Sequence, residues 1–337
     1  TPLYSSAASD VYKRQRRALQ DYDTWIQAHP TVAADLEAHI IDVLDDAGLT
    51  FDRVSVRIKD RTSFARKLSN ENYPDYDSFT DAHDVIGVRV ITFHSSEIPQ
   101  LKDALSGLFT VVRVIDKAAE TAREGRFGYA SQHLIVSAKD EPWAAEDGAS
   151  PKYIEIQLRT VLQHAWAEFE HDVRYKNQQH PETSSPEVQR AFTLAAGLIE
   201  LADEQFDKIA GIIGTSGEEV EGALDEESLP RVLSRIVGSK YPTSRVDYYH
   251  YAIEMLAAHD ITTVAQLREL LAPKRLKALR KAMNYPYYPG QVRLVDDMLL
   301  FAYGREHIRK TVHIGDNAQS RPGRLGNRWQ QLGQKTG

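Results

Sequence analysis

Residues 153–172 read YIEIQLRTVLQHAWAEFEHD. The first half alternates. Ile154, Ile156 and Leu158 fall on one side of an extended chain, and Tyr153, Glu155, Gln157 and Arg159 on the other, because successive strand side chains face opposite ways. The spacing predicts a strand over 153–158 that runs into a helix over 160–176. One face of that strand carries a carboxylate, an amide and a guanidinium. Such a face is either the wet side of a sheet or the floor of a site.

Working outward, residues 53–58, 85–93, 110–115 and 129–137 also read as strands, with VIGVRVITF the strongest. Helical spacing marks 16–48 as two helices broken near His29-Pro30, and marks 62–68, 96–108 and 186–213, with Thr62 expected to cap the second of these stretches. Five strands flanked by helices predict an α+β domain of α/β type.

Composition narrows the chemistry. The chain of 337 residues is 42% hydrophobic and 26% charged, ordinary globular values that leave room for two domains. A net charge of −7 argues against a whole-protein grip on nucleic acid while leaving room for a local basic patch. Without cysteine, disulfides, thiol nucleophiles and cysteine-ligated zinc are excluded, and a cytoplasmic setting is expected. No apolar run approaches the roughly 20 residues of a membrane helix.

Two further strands share the polar face of the first. In RVSVRIK, Arg53, Ser55, Arg57 and Lys59 face one way; in GYASQHLIV, Tyr129, Ser131 and His133 do. The cationic strand continues into RTSFARK, so residues 53–67 hold six cations against Asp60. Ser63 and Lys67, four apart, share a helix face. Forked guanidinium groups and lysine charges suit polyphosphate oxygens, and equally a basic surface or an RNA patch. GxxxxGK[ST] is absent, so this is no P-loop. Asp84, entering the VIGVRV strand, and Glu155 are the carboxylates best placed to share one face. Polyphosphate chemistry needs such a pair to hold Mg²⁺. His83-Asp84 and His171-Asp172 both spell the HD of metal-dependent phosphohydrolases. Such a site needs further ligands on a sizeable helical domain, and only about fifty residues precede the first strand. His171 is therefore expected near the rim, and Trp166 and Phe169 in the core.

In this order, Arg57-x-Lys59-x-x-x-Ser63-x-x-x-Lys67, DVIGVRV from Asp84, Gly128-Tyr129-x-Ser131-x-His133 and EIQLRT from Glu155 resemble the synthetase domain of RelA/SpoT-type alarmone synthetases, over roughly residues 30–215. The resemblance is to the small members with a C-terminal extension. It implies a nucleotidyltransferase-like mixed five-stranded sheet with flanking helices. It also implies transfer of pyrophosphate from ATP to the ribose 3′-hydroxyl of GTP or GDP, giving AMP and (p)ppGpp. Carried over residue by residue, Arg57, Lys59, Ser63 and Lys67 would hold ATP. Asp84 and Glu155 would hold Mg²⁺, with Glu155 also accepting the hydroxyl proton. Tyr129, Ser131, His133, Gln157 and Arg159 would form the GTP side. Some members of the family instead modify the 3′ end of tRNA, which is the alternative activity; a silent nucleotide- or RNA-binding module is the second alternative.

The expected organisation is as follows. Residues 1–15 resemble translated sequencing adapter and are expected to be foreign and disordered. Residues 16–216 form the synthetase domain, 217–228 an acidic linker, 229–312 a helical domain opened in part by a Thr263–Gln266 capping box, and 313–337 a basic disordered tail. A homo-oligomer, or an RNA or regulatory partner on the C-terminal domain, is expected, with no membrane contact.

Overall fold

Five segments of alternating or β-branched residues pair into one sheet. They are β1 (Arg53–Ile58), β2 (Ile86–Thr92), β3 (Val111–Asp116), β4 (Gln132–Ser137) and β5 (Tyr153–Thr160). The computed structural model describes residues 3–68, 78–117, 131–144, 150–177, 185–215, 222–238, 240–315 and 319–333. Strand order is β1-β2-β5-β4-β3. Only β2 and β5 run parallel; the other neighbours are antiparallel. The mixed sheet matches the expected class. β2 sits inside the sheet because IGVRVIT is apolar on both sides, and all but Arg89 of it is buried. β1 is an edge. Its Val56 N–H, which a neighbouring strand would otherwise take, donates to Glu37 Oε2 at 3.0 Å.

The helices of this part are α1 (Leu3–Ala28), α2 (Val32–Asp46), α3 (Arg61–Leu68), α4 (Ile98–Leu108), α5 (Val161–Asn177) and α6 (Pro186–Thr215). α1 runs through residues 3–15, which corrects the expectation of disorder there. α3 is capped by Asp60, not Thr62: the Asp60 carboxylate accepts from Ser63 N–H at 2.9 Å, and a carboxylate next to the first turn also faces the positive end of the helix dipole. At the β5–α5 junction Thr160 and Gln163 satisfy each other. Gln163 N–H donates to Thr160 Oγ1 at 3.1 Å and Thr160 N–H to Gln163 Oε1 at 3.2 Å. Thr160 in turn donates to Asp203 of α6 at 2.9 Å, so the end of the central strand is pinned.

Contacts divide the chain into two compact units. The first is Thr1–Asp42, Phe51–Ile98 and Leu105–Glu204; the second is Val43–Thr50, Pro99–Ala104 and Gln205–Gly337. The second differs from the expected simple C-terminal addition, because it includes eight residues from before the first strand.

Its helices after α6 are α7 (Leu229–Val237), α8 (Tyr249–Ala257), α9 (Val264–Leu270), α10 (Pro273–Met283), α11 (Gln291–Tyr303), α12 (Arg305–Thr311) and α13 (Arg321–Gly333). The Thr263–Gln266 capping box opens α9. α13 corrects the expectation of a disordered tail: Arg321, Leu325, Arg328 and Leu332 are buried along one side of it. The reason lies in α11, whose Asp296 and Asp297 are buried in the core. Arg321 and Arg328 reach Asp296 at 2.7 and 2.9 Å, and Arg328 and Arg293 reach Asp297 at 2.9 and 2.7 Å. His307 sits 2.8 Å from Asp296. Burial alone would raise the Asp296 carboxyl, but Arg328, Arg321 and His307 hold it well below the ordinary range. Backbone packing is equally tight. Gly290 donates its N–H to Ala47 O at 2.8 Å, and a Cβ there would lie 1.8 Å from Gly48 O.

His259 and His307 face each other at 3.0 Å, and the His259 ring stacks on Tyr303. Burial first, then His307 and Lys310, push His259 from 6.5 down to about 4. Unfolding lets this histidine take a proton that the folded unit refuses, so its contribution is complete above pH 6.5 and is lost as pH falls toward 4. Thermal melts should show the helical unit losing a few degrees between pH 7 and 4.5, and His259→Gln should flatten that slope. An unchanged slope in the variant would reject this assignment.

Candidate functional site

Register puts the predicted polar residues in rows across one face. Arg57, Gly87 and Glu155 form one row, Ser55, Arg89, Gln157 and His133 the next, and Arg53, Ile91 and Arg159 the third. Gly87 leaves the first row open between its polar ends: a Cβ there would touch the Arg57 side chain at 3.5 Å.

Glu155 is gripped on both oxygens. His133 Nδ1 lies 3.0 Å from Oε1, and Gln157 Nε2 donates to Oε2 at 3.2 Å. A carboxylate only accepts, so His133 donates from Nδ1 and its Nε2 faces the Ser131 hydroxyl at 2.8 Å. Arg159 donates to Gln157 Oε1 at 2.6 Å. The chain Arg159–Gln157–Glu155–His133–Ser131 therefore orients one carboxylate. Burial would raise the Glu155 carboxyl, but the His133 hydrogen bond and charge lead the effects that hold it below its usual value. Asp84 acts in the opposite sense on Glu155, so the two carboxylates feel each other.

Asp84 is clasped by Lys59 at 3.0 Å and Lys67 at 2.8 Å. Burial is again the largest influence and would raise its carboxyl; the two lysines outweigh it and keep Asp84 ionised. Lys59, just after β1, and Lys67 of α3 thus do for Asp84 what His133 of β4 and Gln157 of β5 do for Glu155. Ser63 packs near Asp60 as described, and Arg57 is exposed at the sheet edge. The pair of carboxylates suits a hard cation that keeps water and phosphate oxygens for its remaining positions, as Mg²⁺ does. Among the described residues no group of three or more His, Asp or Glu forms a complete cage for an ion.

Most of the predicted residues come together on this face. Ser131, His133, Gln157 and Arg159 are buried, whereas Asp84 and Glu155 keep about a fifth of their side chains open, 21% and 18%. Gln157 and Arg159, expected to shape the acceptor side, donate to Glu155 Oε2 and Gln157 Oε1 along β5. Tyr129 and Gly128 lie outside the described residues. His83 packs edge-on to Tyr153, 4.7 Å between ring centres. Phe169, expected in the core, is exposed, while Trp166 is buried.

Arg89 escaped the sequence reading. It shares a row with Gln157 and pairs with Glu168 of α5 at 2.8 Å. Period two puts Arg89 on the same face as Gly87; that this is the Glu155 face follows only from the pairing of β2 with β5.

A family profile described as "Region found in RelA / SpoT proteins" matches residues 56–180, the segment that holds every predicted site residue. The curated GTP pyrophosphokinase YjbM of Bacillus subtilis is 31% identical over 161 residues, 47% of this chain and 71% of that protein. Among solved structures, small alarmone synthetase 1 from Bacillus subtilis aligns with a TM-score of 0.48 at 23% identity, covering 57% of this chain and 97% of that one. A GTP pyrophosphokinase family protein from Streptococcus pneumoniae aligns with a TM-score of 0.45 at 23% identity, covering 57% and 91%.

Proposed function

The chain belongs to the RelA/SpoT family, and from that premise we propose that it is a (p)ppGpp synthetase. It transfers pyrophosphate from ATP to the ribose 3′-hydroxyl of GTP or GDP and releases AMP. The observation that carries this reading is the pairing of two ionised carboxylates, Asp84 and Glu155, beside a cluster of cations within the matched segment.

Reaction and residues fit one another. The 3′-oxygen attacks the β-phosphorus of ATP, the bond from that phosphorus to the α–β bridging oxygen breaks, and AMP departs with the oxygen. Positioning and charge neutralisation dominate such transfers. Arg57, Lys59, Ser63 and Lys67 bind the ATP phosphates. Glu155, held ionised and oriented by His133 and Gln157, accepts the proton of the 3′-hydroxyl. Asp84 and Glu155 hold Mg²⁺, which offsets the charge of the polyphosphate when bound. Tyr129 stacks on guanine, Ser131 and His133 complete the GTP side as the family motif implies, and Gln157 and Arg159 support that side through Glu155. ATP and GTP are cytoplasmic pools, and the reaction is placed there.

One assay separates this from other chemistry on the same site. Protein with Mg²⁺ and labelled ATP is incubated in parallel with GTP, GDP and bulk tRNA. AMP together with labelled guanosine penta- or tetraphosphate is expected. Label on tRNA alone would replace the free nucleotide with the RNA 3′ end as acceptor, and no transfer to any of the three would leave a silent binding module.

A further inference from the structure

Between Glu269 and Asp296 the chain holds no acidic residue, in a protein with 48 of them. The helix in that gap, α10 (PKRLKALRKAM), carries Lys274, Arg275, Lys277, Arg280 and Lys281, all exposed. Among the described residues none of the five pairs with a carboxylate; Arg280 lies over the Tyr288 ring at 4.5 Å. Helical spacing gathers Lys274, Lys277 and Lys281 into one stripe with Arg280 beside it, while Leu279, Ala282 and Met283 point into the core of the helical unit.

Local stability does not account for the pattern. Arg280 and Lys281 in the last turn complement the helix dipole, but Lys274 and Arg275 stand in the first turn, where no acid accompanies them and a cation is unfavourable. They oppose the helix that carries them.

We propose that this face of α10 docks the phosphate backbone of an RNA stem. A lipid surface is disfavoured, because the apolar side of α10 is committed to the core and no large apolar residue between 247 and 302 is exposed. A specific protein interface would want an apolar centre, which the same absence denies. The face carries cations with no Asn, Gln, Ser or acid among them, and most contacts that proteins make with nucleic acid go to phosphate and sugar, where such cations gain most. It therefore recognises backbone, and the stripe, about 10 Å from Lys274 to Lys281, suits the closely spaced phosphate rows of an A-form helix. The inference concerns the helical unit and is independent of the transfer activity.

The test uses the full chain and a fluorescent RNA hairpin, with a DNA hairpin of matching sequence and anionic vesicles as separate arms. The wild type is expected to bind the RNA hairpin most tightly, with affinity falling as salt rises. Lys274→Glu/Lys277→Glu should weaken binding by about tenfold or more and reduce the salt slope by roughly one unit per lost phosphate contact. Its melting temperature should be unchanged or higher, since acids now face the helix N-terminus, and AMP formation from ATP and GTP without RNA should be unchanged. Equal binding of DNA, preferential binding of vesicles, absence of RNA binding, or a variant that binds like wild type would each overturn the proposal.

Discussion

Glu155→Gln is expected to lower the transfer rate by about a thousandfold while leaving the melting temperature within a degree or two of wild type. The substitution keeps side-chain volume and removes the charge. Glu155 accepts from His133 on one oxygen and from Gln157 on the other. A glutamine has one acceptor and one donor end, so it cannot accept from both His133 and Gln157, and His133 must change tautomer to meet its N–H. It can neither take the 3′-hydroxyl proton nor balance a divalent cation. The check is AMP formation under saturating ATP and GTP, with a melt to show an intact fold. Activity within tenfold of wild type would reject Glu155 as proton acceptor. The depressed pKa of Glu155 sharpens the contrast: the wild-type carboxylate is ionised from its ordinary value upward and somewhat below it, so the variant's loss should persist at neutral and alkaline pH alike.

The largest effect on stability is expected from Asp296→Ala. The side chain is buried and accepts from Arg321, Arg328 and His307. Removing it leaves two buried guanidinium groups short of counter-charge, and breaking a buried pair from one side typically costs about 3–5 kcal/mol. α13 should detach first, because Arg321 and Arg328 are two of its buried residues. Hydrogen exchange resolved to residues 321–333 would show this, alongside a lowered melt of the helical unit. Protection of α13 equal to wild type would show that Leu325 and Leu332 suffice to hold the helix.

Much of the first unit was readable because its signals are local. Period-two alternation marked β1, β4 and β5, and the continuous apolar run marked β2. Register was not readable: that Gly87 lies beside Glu155, and Arg89 beside Gln157, depends on a parallel pairing between strands about seventy residues apart. Burial along the polar face of β5 was not readable either, for the same reason. Gln157 and Arg159 are polar in the sequence yet buried in the fold, with His133 of β4 next to Gln157 in the same row. The tail was misread on composition. Gly, Gln and Asn with an excess of cations suggested disorder, yet Arg321 and Arg328 are buried because Asp296 and Asp297 pair with them. Two adjacent acids inside VDDMLLF were the overlooked sign, since acids on an otherwise apolar helix require cations from elsewhere. Thr62 lost the capping role to Asp60 because a residue one step outside the turn, with a carboxylate, reaches the free N–H of Ser63 better.

The eight residues Val43–Thr50 give the helical unit an unusual dependence. They supply the Asp46 carboxylate to Arg293 and the carbonyls of Ala47 and Gly48 to Gly290 and Ser244. The unit is thus stitched from segments that precede, interrupt and follow the sheet sequence. A gene truncated after residue 216 would encode a sheet whose preceding helix ends in unanswered acceptors.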